Sequence, residues 1–417
     1  MKNKSAIIVG GGINGLCAAY YLHKEGFDVK VIDRGTIENN CSFGNMGFLS
    51  PSHFVPLASP GIIAEGVKYL LDSKSPFYIK PRLDLNFIRW GLNFYKNSNQ
   101  KTVDKNSYPL EDLLKLSRHL MDEIRADLGD VFDMETKGCL MVCHSEDAFE
   151  KEKKVADAAA NYGLNVVVLD RKQVQEYEPD VELDMAGAVL FTDDAHIHPG
   201  KFMLAMKQKL TDLGVHFQLN TEVTGFKKEG QRVKSVLTDK GDYSADEIIL
   251  SPGSWLGELT HKLGHRLMIQ GGKGYSTTYD HIEKNIKYPA ILVDGRCAIT
   301  PWKHTLRIGG TMEFSGLNDK VLVKRMQGIY NSIRKFYPGL KIDFPPLDKI
   351  WTGLRPVSPD GLGYIGKFNG YENVNIAGGH AMLGVSCAAG TARIISDLLT
   401  NKAPEINISA FDPMRFS

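Results

Sequence analysis

Three glycines and an aspartate near the start of the chain have the spacing of a dinucleotide site. Gly10, Gly12 and Gly15 form the pattern G-x-G-x-x-G. The first glycine of such a pattern allows a tight turn, the second lets the backbone approach a pyrophosphate, and the third lets a helix pack closely on a strand. Asp33 follows 18 residues after Gly15, where a carboxylate can accept hydrogen bonds from ribose hydroxyls. A glycine-rich turn without a ligand is the alternative, so the flanking elements must decide.

The segments on either side of the glycines have the patterns of a strand and a helix. Residues 6–9 are an uninterrupted apolar run, which predicts a buried strand, and residues 16–22 carry helical periodicity. Residues 28–32 predict a second strand that ends at Asp33. The helix N-terminus would present free N–H groups and the positive end of its dipole to a phosphate. Strand, turn and helix together therefore predict a dinucleotide-binding unit.

The loop after Asp33 is a second candidate contact for the same ligand. Residues 36–56 are rich in Gly, Ser, Asn and Pro, which predicts irregular structure. Placed directly after the ribose-binding strand, the loop can fold back over the cofactor, and Ser42, Asn45 and Gly47 would supply hydrogen-bond donors. A plain surface loop is the alternative.

The strand-and-turn pattern occurs twice more, far along the chain. Residues 245–250 predict an apolar strand that ends in the small-residue turn of 251–255. Residues 373–377 predict another strand, followed by a glycine-rich turn at 378–384 and a helix at 385–399. Turns that follow parallel strands meet at the carboxyl edge of one sheet, where ligands bind. The last helix N-terminus would stabilise negative charge on a reduced flavin.

The middle of the chain predicts a second domain of mixed helices and strands. Residues 110–128 predict an amphipathic helix, and residues 267–342 alternate short strands with tight turns around a helix at 321–336. This alternation of short strands and tight turns predicts an antiparallel sheet, inserted in the chain between the segments that form the parallel sheet. The aromatic residues of 87–95 are predicted to pack between helices rather than to form a ligand cage.

Two clusters could be taken for metal sites, and we predict neither. Asp193, Asp194, His196 and His198 stand within six residues, but Pro199 suits the first position of a helix, so a helix entry is favoured. Cys139 and Cys143 lie in a strand-like run, and no second pair of cysteines or histidines completes a metal site.

Composition excludes several classes of protein. The 417 residues carry a net charge of +1, which gives no electrostatic basis for binding nucleic acid. Six scattered cysteines favour a reducing cytoplasmic compartment over a disulfide framework. The apolar run behind Met1–Lys4 is too short for a signal peptide, and no stretch predicts a membrane-spanning helix. Peripheral contact with the inner face of the cell membrane stays open, as does the oligomeric state.

Five stretches together resemble the D-amino-acid oxidase superfamily of flavoproteins, and within it the D-amino-acid dehydrogenase group. They are residues 8–12, 42–47, 250–255, 353–356 and 379–384. The resemblance implies an α/β fold: a Rossmann-like FAD-binding domain built from discontinuous segments, with an inserted α+β substrate domain having a mainly antiparallel sheet. It assigns 1–55, 196–262 and 352–417 to the FAD domain, and 56–195 and 263–351 to the substrate domain.

The resemblance also assigns roles to individual residues. Arg355, in Gly-Leu-Arg-Pro, would hold the substrate carboxylate; Tyr275 and Arg307 are weaker candidates for the pocket. Residues 351–360 predict a constrained loop, and an ion pair of Arg355 with Asp360 within that loop is the structural alternative. Relatives usually have Gly-His-Gly-Thr-Leu-Gly-Trp where this chain has Gly-His-Ala-Met-Leu-Gly-Val, so the substrate pocket is expected to differ. The predicted contacts of non-covalent FAD are Gly10, Gly12, Ile13, Asn14, Gly15, Asp33, Arg34, Ser42, Asn45, Gly47, Val223, Ser251, Gly253, Trp255, Gly379, His380, Leu383, Gly384, Val385 and Ser386.

The resemblance implies oxidative deamination of a D-amino acid, including cyclic ones such as D-proline or a hydroxyproline, with electrons passed to a quinone or another acceptor. An oxidase of the glycine or sarcosine type is the second hypothesis, and a flavoprotein without catalysis is the third. An NAD-dependent enzyme is disfavoured because no nicotinamide-type domain follows in the required order.

Overall fold

A six-stranded sheet forms the first layer of the protein in the computed structural model, which describes residues 4–69 and 74–417. Its strand order is β19-β20-β13-β1-β2-β9, and every pair except β19–β20 is parallel. The central strands are mainly apolar because both faces of the sheet are covered, one by helices and the other by the strands of 223–238 and the helix of 256–262. The strands are β1 (Ser5–Val9), β2 (Asp28–Ile32), β3 (Phe48–Leu49), β4 (Phe77–Ile79), β5 (Cys139–Cys143), β6 (Val166–Asp170), β7 (Gly187–Phe191), β8 (Ala195–His196), β9 (His216–Gln218), β10 (Val223–Glu229), β11 (Arg232–Thr238), β12 (Gly241–Tyr243), β13 (Glu247–Leu250), β14 (Gln270–Tyr279), β15 (Ala290–Leu292), β16 (Cys297–Trp302), β17 (Thr305–Phe314), β18 (Trp351–Val357), β19 (Tyr364–Lys367) and β20 (Val374–Gly378).

Four helices pack together on this sheet and build the largest core. The first and last helices of the chain lie against each other, and the last also packs on the longest one. Gly390 permits that approach, since a Cβ there would lie 2.9 Å from a methyl carbon of Leu113. The helices are α1 (Ile13–Lys24), α2 (Ile62–Tyr69), α3 (Leu85–Asn97), α4 (Gln100–Leu128), α5 (Glu146–Ala160), α6 (Arg171–Tyr177), α7 (Pro199–Asp212), α8 (Leu256–Lys262), α9 (Val323–Phe336) and α10 (Gly384–Leu399).

The segment Ala381–Leu399 is long and apolar enough to cross a bilayer by length and composition. In the fold its apolar residues are instead buried against α1 and α4. Its hydrophobicity is therefore accounted for by the protein core. The basic N-terminal residues 1–3 lie outside the described part of the chain.

A nine-stranded, mainly antiparallel sheet forms the second layer. Its order is β18-β14-β17-β16-β15-β5-β7-β6, with β4 paired to β17, and only β15–β5 and β17–β4 are parallel. The predicted architecture of a parallel sheet with an inserted antiparallel one is confirmed. The domain boundaries stay a prediction, although the strands of the two large sheets divide as those boundaries would have it, except for β18: residues 352–357 were assigned to the FAD domain but lie in the antiparallel sheet.

The exception is the stretch that carries Arg355. We predicted a constrained loop there, and this was wrong: the residues form β18, which pairs with β14 from Gln270–Val357 to Ser276–Trp351. Pro356 is compatible with this strand because β18 lies at the sheet edge, where a missing N–H donor costs little.

The segment with two aspartates and two histidines is a helix entry, as predicted. The ring of His198 accepts a hydrogen bond from the amide of Lys201 and so caps α7, which begins at Pro199. His196 lies in β8, and its ring contacts the carbonyl oxygen of Pro301 at 3.2 Å. Within residues 4–69 and 74–417 no three His, Cys, Asp or Glu side chains are grouped to hold a metal ion.

Candidate active site

The two sheets enclose a cavity of about 1880 Å³, lined from both sides. The turns after β1, β2 and β13 and the start of α10 contribute from the parallel sheet, and β14, β17 and β18 contribute from the other. Of the residues predicted to bind FAD, all but Gly15 and Gly47 line this cavity. Of the predicted catalytic residues, Arg355 and Tyr275 line it and Arg307 does not.

The glycine turn has the backbone geometry that its sequence predicted. Gly10 has a φ of +107°, and a Cβ there would lie 2.3 Å from the carbonyl oxygen of Ser251. Gly15 lets α1 pack closely on the turn, since a Cβ at this position would lie 1.9 Å from the Gly10 carbonyl oxygen. Gly15 therefore supports the turn from behind, and its contact with FAD stays a prediction. Gly47 likewise belongs to a turn: it has a φ of +85°, and a Cβ there would collide with the carbonyl oxygen of Ile197.

Asp33 holds the ends of two strands together at the rim of the cavity. Its Oδ2 accepts the amide of Gly11 at 2.6 Å and its Oδ1 accepts that of Gly35 at 2.7 Å. Each carboxylate oxygen can accept a further hydrogen bond, so these bonds leave capacity for a ribose. Beside it the guanidinium of Arg34 lies over the Trp255 ring, 3.5 Å from the ring centroid. This stacked pair forms a flat wall of the cavity.

The N-terminal ends of α1 and α10 meet at Asn14. Its Nδ2 donates to the carbonyl oxygen of Gly384 over 3.4 Å, whereas its Oδ1 is buried without a hydrogen-bond partner among the described residues. Ser42 Oγ accepts the amide of Ile13 at 3.0 Å, so the predicted loop does fold back onto the helix start. The site thus combines two helix N-termini, an open glycine turn and an unsatisfied hydrogen-bond acceptor. These features suit a dinucleotide whose ring system can form hydrogen bonds.

Arg355 projects from β18 into the cavity and has no acidic partner in the described residues. Its Nη1 donates to the carbonyl oxygen of Thr311 at 2.6 Å. Asp360, the predicted alternative partner, instead forms an ion pair with Arg415 at 2.8 Å. Removal from bulk water lowers the pKa of Arg355, but a guanidinium stays protonated in proteins. The cavity therefore contains a cation whose remaining donors face a ligand.

Gly274 on β14, two residues beyond the residue that pairs with Arg355, provides the space for this guanidinium. A Cβ at this position would lie 2.3 Å from the guanidinium carbon and both terminal nitrogens of Arg355. The neighbouring strand bulges here, because Lys273 pairs with Glu313 and Tyr275 with Gly310. Thr311, in the bulge, has a φ of +67°, and its Oγ1 is buried without a partner among the described residues. Sequence reasoning missed both Gly274 and Thr311.

Tyr275 and Arg307 both form hydrogen bonds that support the walls of the site. The hydroxyl of Tyr275 donates to Glu313 at 2.6 Å, and the fully buried Lys273 pairs with the same carboxylate at 3.1 Å. Burial and the Glu313 carboxylate raise the pKa of Tyr275. Tyr275 lines the cavity, but its hydroxyl is already hydrogen-bonded to Glu313.

The guanidinium of Arg307 donates to the carbonyl oxygens of Phe43 and Asn45 at 3.2 and 2.5 Å. It lines a separate cavity of about 760 Å³, and burial lowers its pKa to about 10. Arg307 therefore holds the loop that carries Ser42, and its role in the substrate pocket stays a prediction.

Two histidines line the cavity, and burial keeps both neutral at pH 7. The pKa of His380 is lowered to about 3, and its Nε2 lies 3.0 Å from Thr391 Oγ1. The pKa of His53 is lowered to about 4, and its Nδ1 lies 3.1 Å from Ser52 Oγ. Ser52 Oγ in turn donates to Asp194 at 2.6 Å, and burial raises the pKa of that carboxyl to about 7. Sequence reasoning missed His53, since its partner Asp194 is remote in the chain.

The aromatic residues of α3 both pack and line the cavity. Trp90 stacks on Phe87 and Phe94, and its Nε1 donates to the carbonyl oxygen of Val357 at 2.9 Å. The predicted packing role is confirmed for these three side chains, which also form one wall of the site, and is wrong for Tyr95, which is 67% exposed.

Comparison with known proteins gives consistent results over the whole chain. Residues 5–398 match a family model described as FAD dependent oxidoreductase (DAO). A D-amino acid dehydrogenase of Helicobacter pylori is 31% identical over 416 residues, which cover 99% of this chain and 98% of that protein. The fold is similar to glycine oxidase from Geobacillus kaustophilus, with a TM-score of 0.79, 19% identity and full coverage of both chains. It is also similar to L-proline dehydrogenase from P. horikoshii, with a TM-score of 0.76, 17% identity, and coverage of 100% and 98%.

Proposed function

The chain belongs to the DAO family of FAD-dependent oxidoreductases, and we propose that it is a dehydrogenase of D-amino acids. FAD is its cofactor. The identity to curated D-amino acid dehydrogenases supports the substrate class, and the cavity supplies the residues that such a reaction needs.

The dinucleotide half of the cavity is where FAD would be held. Asp33 would accept hydrogen bonds from the ribose, and the starts of α1 and α10 would face its charged and polar groups. Asn14 Oδ1 would gain the donor that it lacks in the protein alone. When bound, FAD supplies a hydride acceptor at the flavin N5, so the protein needs chiefly to orient the substrate Cα.

One observation carries the proposal: Arg355 is a cation in the cavity without a carboxylate partner in the described chain. A guanidinium holds a carboxylate with two parallel hydrogen bonds, which fixes the orientation of the amino acid as well as its position. The Thr311 carbonyl and the space above Gly274 restrict the guanidinium to one place. A fixed carboxylate presents one face of Cα, which is how D- and L-substrates would be distinguished.

Oxidation of an amino acid requires its amine to lose a proton. His53 and His380 are neutral at pH 7 and line the cavity, so either ring can accept a hydrogen bond from that amine. Of the two, His380 has its Nε2 next to Thr391, whereas His53 is hydrogen-bonded through Nδ1 and keeps Nε2 as an acceptor. We propose that His53 Nε2 accepts a hydrogen bond from the substrate amine and so orients it.

The electron acceptor and the range of substrates belong to the same proposal. We propose a quinone or a similar acceptor, because the curated relatives are dehydrogenases, and we include cyclic amino acids such as D-proline. At the cavity wall this chain has Ala381-Met382 where relatives usually have Gly-Thr, which supports a substrate pocket that differs in shape from theirs.

Anaerobic titration of the flavin absorbance with paired D- and L-amino acids tests the function. Bleaching by a D-amino acid and not by its L-isomer is expected, with reoxidation by a soluble quinone analogue. Bleaching by glycine or sarcosine with rapid peroxide formation in air would instead support the oxidase. No bleaching by any amino acid would refute catalysis on this class.

A further inference from the structure

Helix α3 has apolar side chains on two sides, and only one side is packed. Phe87, Trp90 and Phe94 face the core and the cavity. On the other side an apolar stripe faces solvent: Leu85 is 83% exposed and Leu92 59%, and Tyr95, 67% exposed, continues the stripe to the rim of the cavity. Two further members of this stripe are Leu83, fully exposed, and Ile88, 46% exposed. Five large apolar side chains exposed together require an explanation, because isolated ones are normal and clusters mark interaction sites.

Cations flank the apolar stripe. Arg89 follows Leu85 by four positions and Lys96 follows Leu92 by four, so each lies beside a stripe residue on the helix surface. Neither forms an ion pair with any residue that the structure describes. Residues 80–105 contain six basic and two acidic side chains, although the whole chain has a net charge of only +1.

We propose that the apolar stripe of α3 binds the surface of an anionic lipid bilayer. A helix with exposed Leu, Ile and Tyr beside Arg and Lys has the composition of helices that lie in the interface of a membrane. The leucines would enter the boundary of the acyl chains, and Arg89 and Lys96 would meet lipid phosphates. The proposal goes beyond the oxidation of an amino acid and holds whatever the substrate is.

A second copy of the chain is a poorer occupant of this surface. In a two-fold dimer the same patch meets itself, so Arg89 and Lys96 of both copies would be brought together. A stable protein interface also uses roughly 20–30 residues from each side. Five side chains on one helix and its preceding loop fall well short of that number.

The location of α3 gives the contact a consequence for the reaction. The inner side of the same helix lines the cavity, so membrane binding would place this wall of the site next to the bilayer. A lipid-soluble electron acceptor such as a quinone would then approach from the phase in which it dissolves.

Vesicle co-sedimentation of the FAD-loaded protein tests the proposal without any turnover. The wild-type protein should bind vesicles of phosphatidylcholine and phosphatidylglycerol in low salt, and bind phosphatidylcholine alone much more weakly. The variant L85S/L92S should lose binding by about tenfold or more. The variant R89Q/K96Q should weaken binding to the anionic vesicles by roughly 30-fold, since each cation near such a surface contributes about fivefold.

Matched variants elsewhere on the surface serve as controls. Leu204 and Leu213 are also exposed leucines, and Lys227 and Lys228 are exposed cations without an ion pair among the described residues. L204S/L213S and K227Q/K228Q should bind as the wild type does, and every variant should retain its flavin absorbance.

Three results would overturn the proposal. The first is wild-type protein that stays in the supernatant with both kinds of vesicle, and the second is unchanged binding of L85S/L92S. The third is a wild-type dimer in size-exclusion chromatography that L85S/L92S converts to a monomer, which would assign the stripe to a second copy. None of these results depends on activity, so a failure here is separate from a failure of the proposed dehydrogenase.

Discussion

Replacing Gly274 with alanine should displace the side chain of Arg355 and so lower activity, although Arg355 itself is unchanged. The added Cβ would lie 2.3 Å from the guanidinium carbon and both terminal nitrogens, where ordinary contacts begin near 3.4 Å. The guanidinium must therefore move by about 1 Å, which breaks or stretches the 2.6 Å bond to the Thr311 carbonyl. A displacement of about 1 Å at a substrate-orienting group costs on the order of 10²-fold in rate. This corresponds to about 2.7 kcal/mol of transition-state stabilisation.

The assay is kcat/KM on the best D-amino acid, together with the flavin spectrum and the melting temperature. Gly271→Ala is the matched control: the same strand receives the same methyl group, but its nearest neighbours are the ends of the Leu317 and Leu354 side chains, at 3.0 and 3.4 Å. We expect this control to stay within about threefold of the wild type, as a small repacking cost allows.

A double variant separates action through Arg355 from a general loss of packing. Arg355→Ala alone should cost about 2–5 kcal/mol, in the range for truncating one partner of a charge pair. If Gly274→Ala acts only through the guanidinium, G274A/R355A should be no worse than R355A. Wild-type kcat/KM in G274A with FAD bound, or additive losses in the double variant, would refute this account of the site.

Four further predictions concern the cofactor and the charges of the cavity. Arg355→Lys should keep FAD but lose much of the activity, because a point charge replaces a planar fork; unchanged kcat/KM would place the carboxylate elsewhere. Asp33→Ala should weaken FAD retention, since each lost hydrogen bond to the charged acceptor contributes about 1.5–3 kcal/mol; an unchanged FAD dissociation constant would remove Asp33 from the ribose site. FAD should be released on acid precipitation, and retention in the pellet would indicate a covalent bond, for which Cys41 in the cavity wall would be the first residue to test. His53 has its pKa lowered from 6.5 to about 4, so between these pH values the unfolded chain binds a proton that the folded protein does not. The stability of the wild type relative to His53→Gln should therefore fall as pH falls through this window, by up to about 2–3 kcal/mol in urea unfolding; a difference independent of pH would contradict the burial of a neutral ring.

The dinucleotide half of the site followed from the sequence because its physics is local. A buried strand, a turn that only glycine can make and a helix start lie within twenty residues, and each part constrains the next. The clash that a Cβ would cause at Gly10 is the physical reason why this position of the motif requires glycine. The resemblance to a flavoprotein family located Arg355 for the same reason, through a short contiguous motif.

The partners of Arg355 did not follow from the sequence, because strand pairing brings them together from distant positions. Thr311 lies 44 residues away and faces the guanidinium only through a bulge, whose position depends on how β14 and β17 pair. Asp360 is near in sequence yet pairs with Arg415, and the loop prediction failed because β14 supplies an edge to which residues 351–357 can pair.

Helix α3 shows the same limit most clearly. Its sequence contains two apolar faces at helical spacing, one through Phe87, Trp90 and Phe94 and one through Leu85 and Leu92. Periodicity establishes the helix but cannot say which face the rest of the chain will cover. That choice depends on contacts with Phe314 and Val357, which are more than two hundred residues away, so only the tertiary structure decided which face was left for a partner.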